Sequence, residues 1–500
     1  MVTPVAPRLR GLAALALCAA ALVALGAPAA AQKSKDKDTA RAAAQRLDKA
    51  LDGQQVAETV TSIAAFSRFD EPAAVEALLT VFERASAALH PNARRVLGGF
   101  TQPASLERLV AKGSKHRSPV VREQVTLAIG EARPTALDWA ALLGQALDDD
   151  SPAVRAVAIR ELSRARVDAR LDRIIELAAD PSESVRAEVP GALTRLGGSR
   201  ALPQLKILLK DPRWRVRLET IGALADLRTP EVVELLILTM ETERGRLQED
   251  IVRQLERLTG QTFGFDVASW KSFVLHAPPD YLSHAGERQL AQLGTPRFGT
   301  GGVRYHTIGT ASQRFVLVTD LSGSMDTPIR LPGTPEPRPR IEIVREELTR
   351  LIEGFDATIG FDLVTFRDGV EIWKPQMALA GEAVRRAALQ EVAGYRANGG
   401  TNIYGGLSAV FDIAQAAMED TTHTLQDVDT LFLLSDGAPS EGLIRDTELL
   451  LQYVSERNRT LRLRIHCISL VALGELEAER FLKKLATLGG GAYTSPATPD

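Results

Sequence analysis

The spacing of apolar residues divides the chain into two halves. From Thr39 to about Gly260, apolar positions recur with a helical period of about 3.6 and are separated by short turns of Pro, Gly and Asp. From Arg314 onward, continuous apolar runs predict buried strands, and helical patterns lie between them. The runs are at 315–319, 359–366, 430–434 and 464–471, and the helical patterns at about 341–354, 380–394, 403–417, 444–458 and 476–488. This pattern predicts a helical first half followed by a mostly parallel, doubly wound sheet with helices on both faces, an α plus α/β chain.

The helical half contains an internal repeat. A Val-Arg pair ends at Arg122, Arg155, Arg186 and Arg217, which lie at intervals of 33, 31 and 31 residues. An aliphatic residue follows each arginine by seven positions, and an aspartate precedes three of them by six. These residues are Ile129, Leu162, Leu193 and Leu224, and Asp149, Asp180 and Asp211. A period near 31 is one helical hairpin, so the segment predicts an α-solenoid.

These repeats resemble HEAT-type repeats, most clearly over residues 104 to 228. Weaker helical pairs over 38–100 and 230–259 bring the expected number to six or seven units. Two interpretations of the arginine row remain open at this stage. The arginines form a surface for an anionic ligand, or they form a ladder that binds aspartates and turn carbonyls of neighbouring repeats.

The domain boundaries follow from the change in pattern and from a segment rich in Pro and Gly. A chain of 500 residues is too long for one core. We expect a helical repeat domain at 38–275, a linker at 276–303 and a second domain at 304–497. Trp270 and Phe273, on a short helix after the last repeat, are expected to cap the end of the solenoid.

Three polar clusters follow predicted buried strands or open a helix in the second half. They are Asp320-Leu321-Ser322-Gly323-Ser324, then Gly399-Gly400-Thr401-Asn402, then Ser435-Asp436-Gly437. The carboxyl ends of parallel strands share one edge of a sheet, so these clusters are expected to meet there. They supply five hard oxygen donors that suit Mg²⁺ or Mn²⁺ and exclude a thiolate or imidazole site. The candidate metal ligands are Asp320, Ser322, Ser324, Thr401 and Asp436.

The order and spacing of these motifs resemble the von Willebrand factor A domain and its metal-ion-dependent adhesion site. The resemblance covers roughly residues 304 to 497, and every position of the family's D-x-S-x-S, Thr and Asp pattern is present. It implies that a partner protein binds by offering an Asp or Glu carboxylate to the bound ion. The repeats are expected to offer a second surface for protein partners.

An insertion follows the first metal motif. Residues 327–340 contain five prolines together with Arg330, Arg338 and Arg340, and proline at this density favours extended backbone. Two interpretations are open: the loop flanks the ligand site and influences specificity through its arginines, or it is a solvated surface loop.

Composition and motifs limit the other functions. With 60 basic and 63 acidic residues the net charge is −3, which gives no support to nucleic-acid binding. The common hydrolase and nucleotide-binding motifs are absent from the sequence, and a phosphatase of the haloacid dehalogenase type requires a carboxylate where Ser322 stands. A binding protein without enzymatic activity is therefore the preferred hypothesis. The alternatives are an assembly scaffold whose metal only braces the fold, and a Mg²⁺-dependent phosphatase-like enzyme.

The first 31 residues have the layout of a secretory signal peptide. Arg8 and Arg10 precede an uncharged stretch rich in Ala and Leu, and an Ala-x-Ala site ends at Ala31. We expect cleavage there, no remaining membrane-spanning helix, and export to the periplasm, the cell surface or the medium. Cleavage would remove Cys18 and leave Cys467 as a buried thiol with no disulfide partner.

Overall fold

Within the part of the first half that the structure describes, the chain folds into seven successive pairs of α-helices. The computed structural model describes residues 39–278, 281–284, 303–305, 308–331, 336–419, 427–470 and 476–495, so the expected signal peptide lies outside the described residues. Ala40–Asp500 forms one compact unit. The helices are α1 Ala40–Asp52, α2 Val56–Ala65, α3 Pro72–Arg84, α4 His90–Gly98, α5 Pro103–Arg108, α6 Pro119–Ala132, α7 Trp139–Ala146, α8 Pro152–Arg164, α9 Leu171–Glu176, α10 Glu183–Gly197, α11 Leu202–Leu208, α12 Trp214–Leu227, α13 Pro230–Thr242 and α14 Arg246–Thr259, followed by α15 Val267–His276 and α16 Tyr281–His284.

The repeat pattern accounts for these helices. Proline opens α3, α6, α8 and α13, where its missing N–H costs no hydrogen bond. The four aliphatic residues that follow the repeat arginines are all buried between neighbouring helices. Trp270 of α15 is also fully buried and packs edge-on against Phe263 with ring centroids 5.0 Å apart. This aromatic pair, in which Trp270 is buried and Phe263 half-buried, follows the last helical pair, at the position expected for a cap.

The arginine row forms a ladder between repeats. Arg155 donates from Nε and Nη2 to the two carboxylate oxygens of Asp180 in the next repeat, both at 2.9 Å. Its Nη1 donates to the backbone oxygen of Asp149, six residues earlier, at 2.7 Å. The same arrangement recurs for the other three arginines, in the pairs Arg122–Asp149, Arg186–Asp211 and Arg217–Glu243. Because each guanidinium is bound at both ends, the structure favours the ladder over an anionic-ligand surface.

The second half is a sheet with helices on both faces. Its elements are β1 Val303–Tyr305, β2 Ile308–Thr310, β3 Arg314–Asp320, β4 Pro328–Ile329, β5 Arg338–Pro339, α17 Arg340–Glu353, β6 Gly360–Phe366, β7 Val370–Ile372, β8 Ala378–Leu379, α18 Glu382–Ala393, α19 Ile403–Glu419, β9 Thr430–Ser435, α20 Thr447–Leu461, β10 Arg464–Ser469, α21 Leu476–Leu488 and β11 Gly490–Thr494. The strand order is β11-β10-β9-β3-β6-β7, and β8 also pairs with β6. The first five strands are parallel, whereas β7 and β8 run antiparallel to β6.

Alternate residues of the parallel strands enter two separate cores. Val316 and Val318 of β3 pack with α19, α20 and α21 on one face. Phe315 and Leu317 pack with α17 and α18 on the other. This period of two explains why the strands are apolar throughout, and the predicted fold class is confirmed. Helix α20 begins three residues later than the helix predicted at 444–458. It begins there because the Asp446 side chain caps it by accepting from the N–H of Leu449.

Cys467 is a fully buried, free thiol on β10, as expected. Burial raises its pKa, so the sulfur remains protonated and unreactive. Within the part of the chain that the structure describes, no helix is long and apolar enough to cross a membrane.

Ion pairs join the helical repeats to the base of the sheet. The second helices α4, α6, α10 and α12 supply charged residues to the end of α20 and to the segment that leads into β10. The N···O distances are 2.8 to 3.1 Å for Arg94–Glu456, Glu123–Arg459, Glu188–Arg462 and Glu219–Arg462. The repeats therefore hold the sheet by charge pairs spread over several units of the solenoid.

The most buried of these contacts lie at the last repeats. Arg215 is 1% exposed and donates to Asp427 Oδ1 at 2.7 Å and to the backbone oxygen of Leu461 at 2.9 Å. Glu249 and Asp250 of α14 pair with Arg464, the first residue of β10. Asp427 and Arg464 lie at the amino ends of β9 and β10. The repeats therefore contact the amino-terminal edge of the sheet, which is opposite to the carboxyl ends of its strands.

Loss of one ladder contact is expected to destabilise the repeats. Asp180→Ala leaves the nearly buried Arg155 guanidinium without its carboxylate, and breaking such a pair costs about 3 kcal/mol of unfolding free energy. Urea denaturation followed by circular dichroism measures this loss. Lys206→Ala breaks an ion pair to Glu231 that also joins two repeats but is solvent-exposed, so it should cost less than about 1 kcal/mol. Equal losses for the two variants would contradict a structural ladder.

Removal of the most buried interface cation is expected to uncouple the two halves. Arg215→Met removes a guanidinium that pairs with both Asp427 and Glu183. We expect it to lower the free energy of unfolding by about 3 kcal/mol. We expect calorimetry to show one unfolding transition for the unmodified chain and two for the variant. Arg350→Met, which removes a surface ion pair within α17, is the control and should leave one transition. A single transition for Arg215→Met would mean that this contact does not couple the halves.

Candidate functional site

Two buried carboxylates lie at the carboxyl edge of the sheet. Asp320 ends β3 and Asp436 directly follows β9, and the two strands are neighbours in the sheet. The side chains are 0% and 1% exposed. Because parallel neighbours end at the same edge, the polar residue after each strand is brought beside the other, as the sequence predicted.

Serine hydroxyls connect the two carboxylates. Ser324 Oγ donates to Asp436 Oδ1 at 2.8 Å and lies 3.1 Å from Ser322 Oγ. Asp320 Oδ1 accepts from the backbone N–H of Ser322 at 2.8 Å, and its Oδ2 accepts from Ser435 Oγ at 2.6 Å. Four of the five predicted donors therefore form one connected cluster. Ser435 is a member of this cluster to which the sequence assigned no role, although it stands beside Asp436.

Backbone hydrogen bonds bring the loop that carries Thr401 close to the loop that carries Ser322 and Ser324. Gly323 N–H donates to the oxygen of Gly399 at 2.9 Å, which links the first metal motif to the second. Thr401 is 7% exposed, and its backbone N–H and C=O bind Ser440, four residues after Asp436. The first predicted motif is thus tied to the second, and the second to the loop that follows the third, whereas no hydrogen bond among the described residues places the Thr401 hydroxyl in the serine and aspartate cluster.

Gly399 is required by the geometry of this loop. Its φ is +73°, a left-handed conformation that favours glycine, and a Cβ at this position would collide with the carboxylate of Asp368. Asp368 in turn accepts from the N–H of Gly400 at 2.8 Å. The Gly399-Gly400 pair thus lets the chain pass close to the metal motif and deliver Thr401.

The electrostatics of the site are set by the two buried carboxylates and by the Arg340 guanidinium that pairs with Asp436. Burial, together with the neighbouring charge of Asp436, raises the pKa of Asp320 to about 6. Burial also raises the pKa of Asp436, while its bonds to Ser324 and Arg340 oppose the shift. Two like charges that are buried together are costly unless a positive charge joins them.

The residues fit a hard divalent ion. The cluster offers carboxylate and hydroxyl oxygens, and Ser324 is exposed, so the site opens to solvent on that side. No group of three or more His, Cys, Asp or Glu suited to a metal forms among the described residues.

One further residue at the site comes from the proline-rich insertion. Arg340 is 3% exposed, and its Nη1 donates to Asp436 Oδ2 at 2.6 Å. Arg338 points elsewhere and pairs with Glu346 at 2.8 Å, and Arg330 is exposed. Of the three arginines in the insertion, Arg340 is the one that the structure places at the site. Residues 332–335 of the insertion lie outside the described part of the chain.

Comparisons with known proteins match both halves. The family model for HEAT repeats matches residues 139–213, and the model for the von Willebrand factor type A domain matches residues 314–495. Inter-alpha-trypsin inhibitor heavy chain H1 of Homo sapiens is 28% identical over 139 residues, which are 28% of this chain and 14% of that protein. Von Willebrand factor A domain-containing protein 3A of Homo sapiens is 27% identical over 186 residues, which are 37% of this chain and 13% of that protein.

A solved von Willebrand factor type A structure from Catenulispora acidiphila is 22% identical and covers 38% of this chain and 40% of that one, with a TM-score of 0.29. The chain spans less than a fifth of the length of the two curated relatives described above. Together with the observed helical pairs and the parallel sheet, the family matches lead to one conclusion: the chain carries HEAT repeats followed by a von Willebrand factor type A domain.

Proposed function

We propose that this chain is an exported, metal-dependent protein-binding module. Its type A domain holds Mg²⁺ or Mn²⁺ through Asp320, Ser322, Ser324, Thr401 and Asp436, and a carboxylate of the partner completes the site. The observation that carries the proposal is the position of Ser324, an exposed residue whose hydroxyl donates to Asp436 Oδ1 at 2.8 Å and lies 3.1 Å from Ser322 Oγ. The resemblance of the motif to a metal-ion-dependent adhesion site supplies the expected type of ligand.

The chain's own residues account for a preference for anionic ligands. Two of the five donors carry negative charge and three are neutral hydroxyls, so the carboxylates do no more than balance a divalent ion. When bound, the ion supplies an electrophilic position for an outside oxygen. Ser435 donates a hydrogen bond to Asp320, and Arg340 donates one to Asp436. Both carboxylates are therefore fixed in position before a ligand binds.

The HEAT repeats serve as a scaffold in this proposal. Their second helices hold the amino-terminal edge of the sheet, whereas the metal motifs lie at the opposite edge. A second partner surface on the repeats is therefore expected on the side of the first helices. The alternative, an assembly scaffold whose metal only braces the domain, differs in one respect: its partner binding does not require the ion.

Asp320→Asn is expected to abolish metal binding without destabilising the domain. Outer-shell residues alone change metal affinity by about 10- to 100-fold, so loss of a ligand should weaken Mn²⁺ binding by about 100-fold or more. The neutral amide also removes the repulsion with Asp436, so the melting temperature in EDTA should not fall.

Isothermal titration calorimetry with Mn²⁺ and thermal melts measure these two effects. Asp412→Asn, which changes an exposed carboxylate on α19, is the control and should bind Mn²⁺ like the unmodified chain. If Asp320→Asn retains full affinity, the ion does not bind at this site.

Partner binding is expected to require the ion. A pull-down from envelope material with the purified chain should recover partners in Mg²⁺ and lose them in excess EDTA or with Asp320→Asn. Titration of the recovered partner against Mg²⁺ should show a saturable requirement. Binding that persists in EDTA, in a chain that binds Mn²⁺ normally, would favour the assembly scaffold.

A further inference from the structure

Arg340 is a buried cation in direct contact with a candidate metal ligand. Its Nη1 donates to Asp436 Oδ2 at 2.6 Å and to the backbone oxygen of Ser324 at 3.1 Å. The other oxygen of Asp436 accepts from Ser324 Oγ. Both carboxylate oxygens of Asp436 are therefore engaged by groups of the chain itself.

Contacts at the two ends of the insertion fix the position of the Arg340 guanidinium. Strands β4 and β5 pair across the base of the insertion, and the N–H of Arg340 donates to the oxygen of Thr327 at 3.3 Å. Ile329 of β4 and Ile341 of α17 are both buried in the same core. Arg340 is thus anchored on both sides, and its Nε has no hydrogen-bond partner among the described residues.

The charge of Arg340 changes the balance of the site. A guanidinium stays protonated at every pH at which the protein folds, so it is a fixed positive charge. Two carboxylates and one guanidinium present a net charge of −1 to an incoming ion, where the carboxylates alone would present −2. In a buried site with low screening, this difference weakens the attraction for a divalent cation.

We propose that Arg340 is a built-in counter-ion of the metal site. It pairs with Asp436 when no divalent ion is bound, and it lowers the affinity of the site for that ion. This inference rests on the proposed function, because it concerns the same five donors. Arg340 is a positioning residue here, since it acts on the ion through Asp436.

Measured Mn²⁺ affinity of the full chain tests the charge of Arg340 directly. Arg340→Met keeps most of the side-chain volume and removes the charge, and we expect it to bind Mn²⁺ at least about tenfold more tightly in calorimetry. Arg340→Lys keeps the charge and should stay within about threefold of the unmodified chain. Arg338→Met removes a charge from the same insertion that contacts Glu346 instead, and should leave the affinity unchanged.

A thermal melt separates this role from simple structural support. In EDTA, Arg340→Met should melt at a lower temperature because Asp436 loses its partner. Its rise in melting temperature on addition of Mn²⁺ should exceed that of the unmodified chain. If Arg340→Met does not fold, Arg340→Gln is measured in its place and carries the same expectation.

Weaker or unchanged Mn²⁺ binding by the neutral variants would overturn the inference, because Arg340 would then support the site or have no influence on it. Absence of Mn²⁺ binding by the unmodified chain would instead contradict the proposed function. The two failures are therefore distinguishable.

Discussion

A charged side chain that is buried needs an opposite charge beside it, and this constraint applies at three places in the chain. Between repeats, each ladder arginine binds a carboxylate of the next unit. Between the repeats and the sheet, Arg215 and Arg464 are almost fully buried and lie against carboxylates. At the carboxyl edge, Asp320 and Asp436 are buried together with Arg340 as a partial counter-charge. Breaking such a pair leaves an uncompensated buried charge, which costs about 3 to 5 kcal/mol of unfolding free energy.

The same constraint separates support from binding. The ion pairs to the repeats lie at the amino ends of β9 and β10, and the candidate metal residues lie at the carboxyl ends of β3 and β9. Strands of six or seven residues place the two edges about 20 Å apart. The repeats can therefore hold the domain firmly while the opposite edge, which carries the candidate metal ligands, remains open to solvent at Ser324.

Much of the fold and of the site could be predicted because the signals are local or periodic. Apolar runs marked four of the five parallel strands, and a hairpin period marked the repeats. The strands β7 and β8 were missed because two or three residues on an exposed edge carry no apolar run. The position of Arg340 was not predictable, since the insertion contains three arginines and only the pairing of β4 with β5 selects one of them.

The sequence by itself determined the two halves and the fold class, and it indicated five candidate oxygen donors, because periodicity and spacing encode which residues face a core or end a strand. Only the tertiary structure decided which charges meet. Arg94 and Glu456 are separated by 362 residues, and Arg215 and Asp427 by 212, and no local pattern relates them. Those pairs form because the folded repeats present one face to one edge of the sheet, where a buried charge must lie against an opposite charge.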